Sequence, residues 1–174
     1  GLELSWLRLV GDDRELLVQT FREPRHDGAL VFSFGGIGAT PDDITRQCSA
    51  QAFGLPLVRH PDGVTIMEEQ FGEEAYPTRI RMVEYPEGSE LIPNPVNRVP
   101  GYSIYDHHFV PGFPSMSNPM IEWVLDNRYP QHCHRNTVIE SRFHVLKTPE
   151  SELIGIMEEL LQSYPALKIS CLPS

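Results

Sequence analysis

An apolar run followed at once by a glycine-rich turn constrains the fold of this 174-residue chain more than any other feature. The run is ALVFSF, residues 29–34, and it continues into GGIGATPDDITRQ. Short, almost wholly apolar runs are typical of strands that are covered on both faces, as in a parallel sheet. Because helical spacing follows the glycines, the pattern predicts the strand, turn and helix of an α/β protein.

Composition is that of a chain with a real core, since 40% of the residues are hydrophobic. No apolar run reaches the ~20 residues of a membrane span, and no leader pattern opens the sequence. The three cysteines, Cys48, Cys133 and Cys171, are widely spaced and odd in number, which favours a reducing compartment over a disulfide framework. We therefore expect a soluble, cytoplasmic protein.

The formal net charge is −10, and the only lysines are Lys147 and Lys168. An acidic surface disfavours non-specific binding to nucleic acid, so we expect neither a nucleic-acid nor a membrane partner. Arginines, backbone N–H groups or a metal ion would therefore have to hold any anionic ligand.

The glycine turn is predicted to lead into a helix whose first residue is Pro41. Thr40 would take the N-cap position, which threonine favours, and proline suits the first helical turn. Asp43 stands three residues after Thr40 and would form a short variant of the capping box. Gly54 would end the helix.

The glycines and the adjacent acids predict a phosphate site that contains a metal. Gly35, Gly36 and Gly38 let the backbone approach a ligand, and a helix start offers free N–H groups. Asp42 and Asp43 would repel a bare phosphate. A divalent cation would reconcile these charges, because magnesium commonly binds one or two carboxylates plus phosphate oxygens. The alternative is that both acids only complement the helix dipole.

Two later loops carry similar features. In FVPGFPSMSNPM, Gly112 gives the backbone freedom, and Ser115 could cap a helix or bind an anion. In PNPVNRVPG, Asn94 and Arg98 stand beside prolines, and Arg98 could grip a phosphate or remain solvated. Ligands of open parallel sheets lie beyond the carboxyl ends of strands, so both turns could face one crevice.

The rest of the chain predicts further strands and helices. GLELSWLRLV alternates as a strand does, GDDRELLVQTF begins a helix at Asp12 or Asp13, and TRIRMVEY fits both a helix and a strand. Three short strands at residues 91–92, 102–105 and 107–110 read as a hairpin-like insertion, followed by a helix. His107 and His108 in the last strand could include a general base, although such positions are more often structural.

The end of the chain predicts a small βαβ module. RNTVIESRFHVLK alternates as a strand, TPESELIGIMEELLQSYP is amphipathic at helical spacing, and LKISCL is a last strand. We therefore predict two domains, residues 1–130 and residues 136–174.

Three strings, GGIGATPDDITRQ, LIPNPVNRVPGY and VPGFPSM, occur in this order in one protein family. On these motifs the chain resembles the molybdopterin-binding domain superfamily, in particular the stand-alone proteins related to the N-terminal domain of competence/damage-inducible protein A. The resemblance covers roughly residues 1–127 and implies a three-layer α/β/α sandwich with a mostly parallel sheet. Compared with the family pattern, a first strand and helix are missing and the βαβ module stops early.

The resemblance also implies an activity. In pterin-binding relatives the glycine turn and a following Asp, matched here by Asp43, hold the phosphate end of molybdopterin and a magnesium ion. Asp42 matches a position that is Asp in the competence-type branch, where the implied activity is metal-dependent hydrolysis of a pyrophosphate such as ADP-ribose. The metal would be magnesium, with manganese or cobalt as alternatives. Relatives often self-associate, so the resemblance also allows a homo-oligomer.

These considerations give one principal hypothesis and two alternatives. Asp42 and Asp43 are predicted to be catalytic and to bind the metal. The predicted contacts to a nucleotide or pterin phosphate are Gly35, Gly36, Gly38, Thr40, Asn94, Arg98, Gly112 and Ser115. The alternatives are a non-catalytic phosphate-binding module linked to molybdenum cofactor metabolism, and a homologue with a vestigial site.

Overall fold

The computed structural model describes residues 2–23, 28–132 and 141–171. The chain divides into two compact units, Gly1–Asn136 and Thr137–Ser174. Across the described ranges, no helix combines the length and the apolar character needed to cross a membrane.

The described part of the first unit contains four α-helices and six strands. In chain order they are α1 (Arg14–Arg22), β1 (Val31–Phe34), α2 (Thr45–Phe53), β2 (Leu57–Arg59), α3 (Pro61–Phe71), β3 (Glu84–Pro86), β4 (Glu90–Ile92), β5 (Gly101–Ile104), β6 (His107–Val110) and α4 (Pro114–Arg128). Two 3₁₀ turns, Gly72–Ala75 and Arg79–Val83, connect α3 to β3. The ambiguous TRIRMVEY segment is therefore a 3₁₀ turn followed by a strand.

The main sheet has the strand order β1-β6-β5-β4, and β2 pairs with β3 separately. β1 and β6 are parallel and place Phe34 opposite Val110, so the two strands end side by side. The β6–β5 and β5–β4 pairs are antiparallel. The α/β class is confirmed, and the described sheet is mixed, because the short connection between β5 and β6 permits only an antiparallel pair.

Helices cover both faces of this sheet, which confirms the predicted three layers. Because side chains alternate along a strand, Phe109 faces a core cluster with Phe21 of α1 and Cys48 of α2. Its neighbour Val110 faces the second cluster, which includes Val124 of α4.

The strand predicted at the start of the chain is wrong. The described residues 2–10 form no strand, and Leu4 and Leu9 are 83% and 96% exposed. An alternating pattern specifies a strand only where another strand supplies hydrogen-bond partners, and none pairs here among the described residues.

In the second unit, the predicted helix is present as α5 (Glu150–Ser163). The two strands predicted on either side of it are not formed within residues 141–149 and 164–171. Residues 135–140 of the first predicted strand lie outside the described residues. Among the described residues, helix α5 buries none of its side chains.

Candidate functional site

The two glycine turns meet at the carboxyl ends of β1 and β6. The Gly35 N–H donates to the carbonyl of Val110 at 2.9 Å, which ties the first turn to the end of the neighbouring strand. Gly35 has φ 87°, and a Cβ added there would lie 3.8 Å from the Gly112 Cα. The two turns therefore adjoin at one edge of the sheet, and the crevice predicted there stays a prediction.

The third motif adjoins the same edge. The Asn94 side-chain amide donates to Asn97 Oδ1 at 2.7 Å and to the Val99 carbonyl at 3.0 Å, and it lies 3.5 Å from Met116 Sδ in α4. With only 4% of its surface exposed, Asn94 organises its own loop against the start of α4. Its predicted contact with a ligand stays a prediction.

Asp43 closes a turn of its own before α2 begins. Asp43 Oδ2 accepts hydrogen bonds from the Thr40 N–H at 3.0 Å and from the Thr40 hydroxyl at 2.5 Å. The Asp43 N–H donates in return to the Thr40 carbonyl at 3.0 Å. The predicted helix start at Pro41 is therefore wrong: α2 begins at Thr45, with Ile44 at the N-cap.

Two glycines make this turn compact enough for Asp43 and Thr45 to pack against it. A Cβ on Gly38 would lie 2.4 Å from Asp43 Oδ2, and a Cβ on Gly36 would lie 2.2 Å from Thr45 Oγ1. Gly36 also has φ 67°, which disfavours any other residue. Both side chains therefore occupy space that only glycine leaves open.

The turn keeps backbone donors for a ligand. The Gly36 carbonyl accepts from the Thr45 N–H at 3.0 Å. Across the described residues, however, the N–H groups from Gly36 to Ala39 donate to no backbone carbonyl. Successive backbone N–H groups of this kind form the usual cradle for a phosphate oxygen.

The two acids differ in their exposure to solvent. Asp42 is exposed and Asp43 is half-buried. The nearby Thr40 hydroxyl is the main cause that lowers the pKa of the Asp42 carboxyl, and the backbone N–H of Asp42 adds to it. Asp42 is consequently anionic at neutral pH.

The carboxylates at the turn fit a divalent cation that is bound together with a phosphate ligand. In the part of the chain that is described, no group of three or more His, Cys, Asp and Glu residues could hold a metal ion. Asp42 and Asp43 nevertheless supply adjacent carboxylates at the rim of the N–H cradle. Magnesium completes its shell with water and phosphate oxygens, so two protein carboxylates suffice.

Arg98 and Ser115, two of the predicted ligand contacts, are both exposed. Arg98 Nη2 forms an exposed ion pair with Glu69 Oε2 at 3.0 Å. Such pairs contribute little to stability, so a phosphate could compete for Arg98. Ser115 is exposed in the first turn of α4, but Phe113 is the N-cap and no side chain caps the helix. The predicted capping by Ser115 is thus wrong.

Arg46 is part of the turn, although nothing in the sequence pointed to it. It is 2% exposed, and its Nη2 donates to the Gly38 carbonyl at 2.6 Å. Its Nη1 donates to the carbonyls of Arg81 and Glu84. Burial lowers the pKa of the guanidinium, which nonetheless stays charged because arginine is not deprotonated in proteins. An arginine near a helix start ordinarily faces solvent, so its burial depends on the tertiary fold.

His108 of β6 serves the fold. His108 is fully buried, with Nδ1 2.8 Å from Ser103 Oγ and Nε2 2.9 Å from the Tyr129 hydroxyl. Burial, with smaller contributions from Arg128 and His107, lowers the pKa of His108 to about 3. Because both ring nitrogens are engaged, His108 links the sheet to α4 and is not available as a general base.

Comparisons with known proteins agree with these motifs. A family model described as a probable molybdopterin binding domain matches residues 1–131. The chain is 34% identical to a putative competence-damage inducible protein from Desulforudis audaxviator, over 93% of this chain and 39% of that protein. It is 33% identical to a CinA-like protein from Anaeromyxobacter dehalogenans, over 72% of this chain and 33% of that protein. The chain therefore spans less than half the length of both relatives.

A solved structure is also similar. It is the crystal structure of the protein CinA, with unknown function, from Thermoplasma acidophilum. The two structures share a TM-score of 0.59 and 27% sequence identity, covering 67% of this chain and 72% of that chain.

Proposed function

Because the chain belongs to the molybdopterin-binding domain family, in its competence/damage-inducible branch, we propose that it is a divalent-metal-dependent nucleotide pyrophosphatase. Its substrate class is a dinucleotide pyrophosphate such as ADP-ribose. The observation that carries this proposal is the position of the Asp43 carboxylate, which the Thr40 backbone and hydroxyl hold beside N–H groups that donate to no backbone carbonyl among the described residues.

Each part of the turn has a task in this reaction. The N–H groups of residues 36–39 bind oxygens of one phosphate, and the fixed orientation of these groups requires no rearrangement on binding. Asp43 and Asp42 hold the cation at the turn. When bound, the cation polarises the phosphoryl group and offsets its charge. Asp42, which is exposed, orients the attacking water. Water then cleaves the P–O–P linkage of ADP-ribose and gives AMP and ribose 5-phosphate.

A second candidate is a module that binds a nucleotide or pterin phosphate without turnover. The observation that favours it is that both ring nitrogens of His108 are engaged, so that this histidine is not available as a general base. In this case the cradle and its acids would hold a phosphate and its cation, and no group would activate water.

An assay of ADP-ribose cleavage distinguishes the pyrophosphatase from the binding module. AMP formation is measured with magnesium, manganese or cobalt for the natural chain and for Asp43→Ala. The matched control is Asp62→Ala, which removes an exposed acid from the first turn of α3. The enzyme proposal requires turnover that disappears in Asp43→Ala and persists in Asp62→Ala. Binding of ADP-ribose without AMP formation would instead support the module.

A further inference from the structure

The hydrogen bonds of the buried Arg46 side chain do not satisfy all of its donors. Its two terminal nitrogens reach backbone carbonyls, but no acceptor in the described part of the chain receives the Arg46 Nε–H. A buried charge with an unsatisfied donor is unfavourable, and native proteins keep few such groups. Those that persist are concentrated at functional sites.

The contact with Gly38 fixes the direction of one peptide group. In a trans peptide the C=O and the following N–H lie in one plane and point in opposite directions. Since Arg46 draws the Gly38 carbonyl towards the buried guanidinium at 2.6 Å, the Ala39 N–H must point away from the core. Among the described residues this N–H donates to no backbone carbonyl.

The charge of Arg46 also explains how an acidic turn can receive a phosphate without a lysine. Asp42 and Asp43 bring two negative charges to the rim of the turn. The guanidinium adds a fixed positive charge behind the turn, and interactions inside a protein are screened less than in water. The Gly38–Ala39 peptide lies between this charge and solvent.

We propose that Arg46 is the positioning residue of the phosphate site: it orients the Gly38–Ala39 peptide so that the Ala39 N–H faces a phosphate oxygen. Arg46 itself stays buried and touches no ligand. The inference rests on the proposed function, because it assigns the phosphate of that ligand to a particular amide.

The test compares Arg46→Met with Val124→Ala, a destabilised variant on the other face of the sheet. Val124→Ala opens a cavity in the cluster against α4 and leaves the turn unchanged. Both variants are compared at temperatures that give them the same free energy of unfolding. Arg46→Lys keeps a charge but cannot bridge several carbonyls in a fork, and it replaces Arg46→Met if that variant does not fold.

Two readouts are needed. The first is the affinity for ADP-ribose with magnesium, which we expect to fall at least tenfold in Arg46→Met and less than twofold in Val124→Ala. The second needs no ligand: hydrogen exchange of the Thr45 amide, which bonds to the Gly36 carbonyl, should become at least tenfold faster in Arg46→Met alone.

The outcomes distinguish the proposed function from the positioning role of Arg46. If the natural chain binds no ADP-ribose, the proposed function fails, and the amide exchange alone decides whether Arg46 holds the turn. If Arg46→Met matches Val124→Ala in exchange and, where binding occurs, in affinity, the positioning role is refuted.

Discussion

Gly112 and Gly35 face each other at the edge of the sheet, where a Cβ built on Gly112 would lie only 3.5 Å from the Gly35 Cα. Two loops that are distant in sequence share one edge because they leave β1 and β6, which are parallel neighbours. The two glycines differ in their backbone conformation, so alanine substitutions at the two positions should have different effects on stability.

We expect Gly35→Ala to destabilise the protein more than Gly112→Ala. Gly35 has φ 87°, where an alanine is strained by ~1–2 kcal/mol. Gly112 has no such φ, and its added Cβ would make only an ordinary van der Waals contact. Urea unfolding of both variants tests this expectation, and equal losses of unfolding free energy would contradict it.

Gly38→Ala should impair ligand binding more than stability. The new Cβ would displace the Asp43 carboxylate, whose Oδ2 stands 2.4 Å from its position. Because Asp43 is half-buried and not part of the apolar core, it can move at little cost to core packing. We expect at least a tenfold loss of ADP-ribose affinity by calorimetry. Gly11→Ala, where no atom lies within 4 Å, is the control and should bind as the natural chain does.

Thr40→Val should loosen the turn around Asp43, whereas Thr40→Ser should preserve it. Valine removes the hydroxyl that donates to Asp43 Oδ2, and a hydrogen bond of this kind contributes ~1 kcal/mol. The pKa of Asp42 should also rise towards its ordinary value, since Thr40 is the main cause of its lowering. Carboxyl titration by NMR measures this rise, and an unchanged Asp42 pKa in Thr40→Val would contradict the assignment.

Acid should destabilise the protein through His108. Its pKa is about 3 in the folded state against an ordinary 6.5, so between these values only the unfolded chain binds the proton. Stability contributed by neutral His108 is therefore present above pH 6.5 and is lost as the pH falls, by at most ~1.4 kcal/mol per pH unit.

The His108→Gln variant provides the control for this slope. The polar and charged groups that act on the ring are Ser103, Tyr129, Arg128 and His107, and none of them is changed. Unfolding free energies between pH 4 and pH 7 should depend less steeply on pH in the variant. Identical slopes would assign the acid sensitivity to other groups.

Sequence patterns correctly predicted those elements of the fold that depend on interactions between residues close in sequence. The strand at residues 31–34, the glycine turn, the hairpin of β5 and β6 and the start of α4 near Ser115 were all predictable from periodicity and turn residues. The three motifs also predicted the family, which the comparisons confirm.

What local patterns missed depends on contacts between distant residues. The N-terminal strand was wrong because alternation at Leu4 and Leu9 carries no information about a pairing partner. The start of α2 at Thr45 depends on Asp43 folding back on Thr40 rather than extending the helix. Arg46 escaped notice because its burial requires carbonyls that Arg81 and Glu84 bring from another segment.

The most direct test of the phosphate site is an amide NMR titration of the natural chain with ADP-ribose and magnesium. Our account predicts that the amide signals of residues 36–39 and of Gly112 shift together and saturate with one affinity. It would be contradicted if these signals stayed in place while the ligand shifted amides elsewhere, for example around the cleft lined by His60, Tyr85 and Ser89.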